Sequence, residues 1–284
     1  MMLTTQRPPR AFQWGARTAA AALAALSLLW IYPFLWLISA SLKEPLEIFS
    51  KALNLIPSAA RWDNYARAWS TAGFSQYMIN TILVTAGTVA LVVLHCALSG
   101  YVLGRYRFYG RGIIIGIISA TIFVPTGMTI IPVVDLTQSL GLLGSRWGMV
   151  LALAGSGQAA GILLYAGYFQ RIPKELEEAA VIDGASFFTI FFKVMLPLAG
   201  PVTATVAVLT FLFAWNSFLI PLVFTFGTPN LRTLAVGMLA FVGTNETDWP
   251  GMAAAATLSL LPVVTLFFFA QRYLVEGFAG AVKS

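Results

Sequence analysis

The sequence predicts an all-α fold: a polytopic membrane protein with six transmembrane helices. Three observations lead there. Of 284 residues, 58% are hydrophobic and only 10% charged, where a soluble domain carries about 25% charged. Crossing ~30 Å of hydrocarbon takes about 20 apolar residues, and six runs reach that length: 18–41, 78–104, 112–134, 147–169, 198–226 and 251–271. The Lys and Arg residues gather in the short segments between these runs.

The first run is too long for the roughly 7–15-residue core of a cleaved signal peptide, so it reads as a retained helix. Pro33, Pro125, Pro132 and Pro262 fall within or near spans, where neighbouring helices can satisfy the backbone groups that proline frees. The second run holds the single histidine, His95, beside the single cysteine, Cys96. One cysteine excludes an intrachain disulfide framework and a cysteine metal cluster, and the pair reads as ordinary helix packing. The two longest loops on the other side, 43–77 and 227–250, are polar enough to be structured surface. The second contains Asn245-Glu246-Thr247, a glycosylation pattern short enough to arise by chance. No internal repeat and no linker divides the chain.

Orientation follows from the basic residues. Arg7, Arg10, Arg17, Arg105, Arg107, Arg111, Arg171, Lys174, Lys193, Arg272 and Lys283 fall on one side. Lys43, Lys51, Arg61, Arg67, Arg146 and Arg232 fall on the other. Eleven against six places both termini in the cytoplasm. The organisation is then a cytoplasmic tail over 1–17, a six-helix domain over 18–271 with a cytoplasmic loop at 171–197, and a cytoplasmic tail over 272–284.

An ion-coupled transporter keeps ionisable groups at membrane depth. These spans hold only His95 and, at an outer end, Asp135, with Asn80, Gln158 and Asn216 as uncharged exceptions. No G-x-x-x-x-G-K-[ST] phosphate loop is present, and no convergent set of catalytic groups stands out. Uphill work by such a chain would need energy from another polypeptide.

The stretch "ELEEAAVIDGASFFTIFFKVMLP" (175–197) departs from the rest, with four of the eleven acids in its first nine residues. Pro173 suits the first turn of a helix. Glu175, Glu177 and Glu178 then sit at the positive helix N-terminus, where acids are favoured by about 0.3–1 kcal/mol each. Leu176, Ala179, Ala180 and Asp183 share a face, and its small residues admit close approach by another protein. Gly184 is placed for a left-handed cap and Ser186 for the next N-cap. "FFTIFFKVML" is too short to span; it lies along the membrane until Pro197 stops it. A solvated loop is the plainer alternative.

Glu178-Ala179-Ala180, Asp183-Gly184-Ala185 and Leu196-Pro197 resemble the EAA loop of importer-type ABC transporter permeases, in the form of the carbohydrate branch. "PFLWLISASLK" (33–43), "WDNYARAW" (62–69), "WNSFLIPL" (215–222) and "QRYLVEGFAGAVK" (271–283) are similar to that branch in the same order. The likeness is nearest to the smaller, maltose-type permease subunit. It implies the type I importer permease fold, in the cytoplasmic (inner) membrane of a bacterium or archaeon. Implied partners are a second homologous permease, two ATPase subunits, an extracytoplasmic solute-binding protein and a sugar substrate. No cofactor is expected on this chain; ATP and Mg belong to the ATPases.

By the same resemblance, Glu178, Ala179, Ala180, Asp183, Gly184 and Ala185 couple to an ATPase. Gly280, Ala281, Val282 and Lys283 in the tail reach the ATPase pair, although Ser284 stands where the family often has glycine. The outer loop at 243–249 meets the binding protein. Trp215 and Asn216 are the pathway candidates, an aromatic plate and an amide, against the alternative of interhelical packing. Two other readings remain: the same importer build with a cargo such as glycerol phosphate, or a membrane scaffold or receptor that transports nothing.

Overall fold

The computed structural model describes residues 10–50, 54–71, 73–243 and 246–282. Its helices in chain order are α1 (Arg10–Ala40), α2 (Pro45–Ser50), α3 (Asp63–Thr71), α4 (Phe74–Arg105), α5 (Arg111–Thr121), α6 (Ile130–Ser139) and α7 (Arg146–Gly155). They continue with α8 (Gln158–Arg171), α9 (Glu175–Ile182), α10 (Phe187–Leu198), α11 (Gly200–Trp215), α12 (Leu219–Phe224), α13 (Leu234–Gly237) and α14 (Trp249–Val282). Among the described residues there is no strand, only a bridge between Val242 and Thr247. The chain is mostly helical, as its composition demands.

Among the described residues, three helices are long and apolar enough to cross a membrane unbroken: Thr18–Ala40, Phe74–Arg105 and Trp249–Gln271. Two helix pairs pass the same test only when each is taken together across a bend. α7 and α8 meet at 59° and α10 and α11 at 81°. The remaining apolar run, expected as one helix over 112–134, is instead interrupted. Its α5 stops at Thr121, Pro125 is extended (φ −64°, ψ 124°), and α6 runs from Ile130 to Ser139. A proline ring clashes with the carbonyl four residues back and lacks the N–H a helix needs. Pro132 falls in the first turn of α6, where that loss is harmless. The fourth run is also split, because Ser156 is extended and Gly157 takes φ +73°, a left-handed conformation that glycine adopts without steric cost.

The chain divides into two compact units, 1–69 with 241–258, and 70–240 with 259–284. In the first, α1 leaves most of its length exposed, with Leu28 and Trp30 at 70% and 76%. Its end packs through Ala40 against Ile48 and Ala253. Arg67 donates two hydrogen bonds to Asp248, at 2.9 and 3.0 Å. Asp248 also accepts from Gly251 N at 2.9 Å, so one carboxylate caps the start of α14 and holds α3.

In the second unit α4 is the central helix, buried along much of its length. It meets α8 at very short range. A Cβ added at Gly100 would lie 2.4 Å from Tyr165 Cβ, and one at Gly104 would lie 2.7 Å from the Ala166 carbonyl. This Gly-x-x-x-Gly spacing lets two membrane helix backbones touch. Around the contact lie Cys96, Tyr101, Tyr165, Phe169, Phe191 and Met195.

Two of the uncharged polar residues within the spans, Asn80 and Gln158, find partners inside the chain. Fully buried Asn80 donates to the carbonyls of Asn230 and Arg232 at 2.8 and 2.9 Å, and accepts from Arg146 at 2.9 Å. Gln158 accepts from the Cys96 thiol at 3.0 Å. Cys96 therefore packs as expected. His95, one residue before it and so turned to another face, is exposed rather than packed within this chain.

Candidate functional site

The loop expected at 171–197 begins where α8 ends. Ile172 is extended, as a residue before proline prefers. The next helix starts at Glu175 with Lys174 as its N-cap, so Pro173 precedes the first turn instead of occupying it. Glu175, Glu177 and Glu178 fill that turn. The C-terminus closes in a Schellman motif: Ala185 N donates to the Ala180 carbonyl and Gly184 N to the Val181 carbonyl, both at 3.0 Å. Gly184 has φ +77°, the left-handed cap its position called for. Ser186 then accepts from Thr189 N at 3.4 Å as the N-cap of α10.

Pro197 does not stop α10; the helix continues to Leu198 and turns at Ala199. The reason lies one turn earlier. Residues Phe191–Met195 are a π segment in which Leu196 N reaches back to the Phe191 carbonyl. This wider turn makes room for the ring.

The six candidate coupling residues divide between two surfaces. Glu178, Ala179, Asp183 and Gly184 are exposed, beside Val181 and Ile182 at 60% and 85%. Ala180 and Ala185 are half-buried against the core. Glu177, next to Glu178, points the other way. Its carboxylate accepts from Tyr101 Oη and from Arg105 Nε, with the two charged side chains only 17% and 5% exposed. Arg105 Nη1 also donates to the carbonyls of Ile172 at 2.7 Å and Phe169 at 3.3 Å, capping the carboxyl end of α8, where a cation is favoured. Tyr101 sits among the rings of Phe169, Phe187 and Phe191, with centroids 5.4 to 5.5 Å away. One acid of the loop is thus locked to α4 and α8 while its neighbour is presented outward.

Sequence reading places Glu177 at a helix start and Arg105 among the basic residues of one side, but it neither pairs them nor includes Tyr101. The available signal is the one-turn spacing of Tyr101 and Arg105 at the end of a span, which puts a hydroxyl and a guanidinium on one face.

The other candidates lie apart from this loop. Gly280, Ala281 and Val282 continue the backbone of α14, so the expected tail begins as a helical extension; Lys283 lies outside the described residues, as does Asn245 of the glycosylation pattern. Trp215 is buried and stacked on Phe211 at 5.2 Å and 19°. Asn216 ends α11, is exposed, and returns Nδ2 to the Leu212 carbonyl at 2.8 Å. Near the bend between α7 and α8 is a cavity of about 190 Å³, lined by Cys96, Ser156, Gln158, Thr210 and Phe213 among others, without a charged residue. No group of three or more metal-ligating side chains occurs among the described residues.

Apolar helices, several of them bent, with a short acidic helix capped at their surface define a polytopic membrane protein. Residues 96–279 match the family described as binding-protein-dependent transport system inner membrane component, and the chain belongs to that family. It is 35% identical over 253 residues to the probable ABC transporter permease protein YurM of Bacillus subtilis, covering 89% of this chain and 83% of that one. It is also 35% identical over 259 residues to the probable starch degradation products transport system permease protein AmyC of Thermoanaerobacterium thermosulfurigenes, covering 91% and 93%. A crystal structure of a bacterial ABC transporter involved in import of the acidic polysaccharide alginate aligns with TM-score 0.81 and 26% identity, over 95% of this chain and 100% of the matched chain. The protein is a translocation subunit of a binding-protein-dependent importer.

Proposed function

We propose that this chain forms half of the pathway of an ATP-driven carbohydrate importer and takes its drive through the outward face of α9. The observation that carries this reading is the opposed fate of two adjacent acids: Glu177 is clamped to Tyr101 and Arg105 while Glu178 faces out beside Ala179, Asp183 and Gly184. A face so placed can be pressed by a partner, and the clamp passes the displacement to α4 and α8. The partners in this reading are a second homologous permease, two ATPases that hold ATP and Mg, and an extracytoplasmic solute-binding protein. Both termini lie in the cytoplasm. ATP binding draws the ATPases together and opens the paired permeases outward; hydrolysis resets them.

The carbohydrate reading draws on AmyC, named for starch degradation products, and on the importer of the acidic polysaccharide alginate, while the uncharged cavity favours a neutral sugar here. Asn216 contributes a pathway hydrogen bond, with Trp215 behind it. The test is uptake of labelled oligosaccharides into vesicles containing the reconstituted subunits. Accumulation should require ATP, the ATPase and the binding protein together. Accumulation by this chain without an ATPase would overturn the reading.

A further inference from the structure

A second cavity, about 260 Å³, opens where α4 ends and α5 begins, lined by Arg105, Tyr106, Arg107, Arg111, Gln170 and Lys174. One water needs roughly 10–15 Å³, so a polyatomic group fits. Four of these six side chains are cationic, and no carboxylate lines the space. Arg105 is matched by Glu177. Arg111 gives Nε to the Leu103 carbonyl at 2.7 Å, which fixes the plane of its guanidinium. Arg107 and Lys174 are exposed, and no described ion pair includes either. Cations gathered round a void without counter-charges repel one another, and a multi-oxygen anion relieves this. Guanidinium and ammonium groups both donate charge-assisted hydrogen bonds to phosphate oxygens.

The surroundings indicate where that anion comes from. Tyr106, Phe108 and Tyr109 are 42%, 39% and 103% exposed and interleave with Arg105, Arg107 and Arg111. Aromatic rings with basic side chains at the end of a span mark the headgroup level of a bilayer, and basic pockets between membrane helices there receive anionic headgroups. We propose that this cavity binds the phosphate of an anionic phospholipid. Arg107, Arg111 and Lys174 hold it, and nearly buried Arg105 forms the floor. Arg105 also holds Glu177, so the lipid phosphate sits against the clamp of the coupling helix. The site requires only that the chain spans a membrane; it does not rest on the cargo or on the ATPase.

The test uses the assembled importer in detergent, supplied with phosphatidylglycerol or phosphatidylcholine, with retained lipid counted by native mass spectrometry. Wild type is expected to retain phosphatidylglycerol over phosphatidylcholine. The exposed-site pair Arg107→Gln, Lys174→Gln should lower that retention about tenfold. The charge-keeping pair Arg107→Lys, Lys174→Arg should preserve it, which separates loss of the site from loss of the fold. Equal retention in the glutamine pair, loss in the charge-keeping pair, or equal retention of the two lipids would overturn the proposal. Complete displacement by inorganic phosphate would assign the cavity to a soluble anion and overturn it too.

Discussion

α9 and α10 follow one another in the chain and meet opposite ends. None of the residues of α9 is fully buried, whereas α10 sinks Ile190, Phe191 and Met195 into the core. The chain between them turns on one left-handed glycine, Gly184. The contrast teaches that a surface meant for a partner need not be held in place by its own burial. Here it is held by the apolar helix that follows it and by one inward-turned carboxylate.

Five variants would break or sharpen that contrast. The largest effect is expected from Glu178→Lys combined with Gly184→Trp. No atom lies within 4 Å of where a Cβ at Gly184 would sit, so the indole projects outward into the space a partner needs. Uptake should fall to background, while stability shifts by only the ~1–2 kcal/mol cost of a left-handed non-glycine residue.

Arg105→Ala comes next, and it acts on the anchor. It strands a carboxylate in an almost buried site, which costs about 3–5 kcal/mol and should lower the Tm measured in detergent. Glu178→Ala, on the exposed side, should stay within about 0.5 kcal/mol; equal Tm losses in these two variants would erase the distinction. Tyr101→Phe removes one hydrogen bond to a charged group and should cost about 1.5–3 kcal/mol in the same assay, with ring packing intact. The smallest change is Asn216→Ala, away from the loop. The loss of a neutral hydrogen bond worth about 0.5–1.5 kcal/mol should appear as a few-fold rise in transport KM. Unchanged kinetics would remove Asn216 from the pathway.

What the sequence revealed was local. The start of α9, its glycine cap and the Ser186 cap each depend on residues within one turn of one another, so spacing alone exposes them. The six apolar runs were legible by length, but two of their interruptions were not. Pro125 and Gly157 sit in stretches whose hydropathy stays high across the break, and hydropathy does not register backbone direction. The clamp was hidden for a different reason. Glu177 and Arg105 are 72 positions apart, and Asn80 reaches a carbonyl 150 positions away. No periodicity in a single chain announces such pairings. The two adjacent glutamates also look alike until the fold sets them on different sides.

The 81° corner at Ala199 has a mechanical consequence. Two stiff rods, ~18 Å and ~24 Å long at 1.5 Å per residue, joined through one non-helical residue form a bell-crank. A shove parallel to the lipid sheet on the short arm becomes a sweep of the long arm's tip, larger by about 1.3-fold on those lengths. Two glycines inserted after Ala199 should let the crank slip, so that ATP turnover persists while uptake stops.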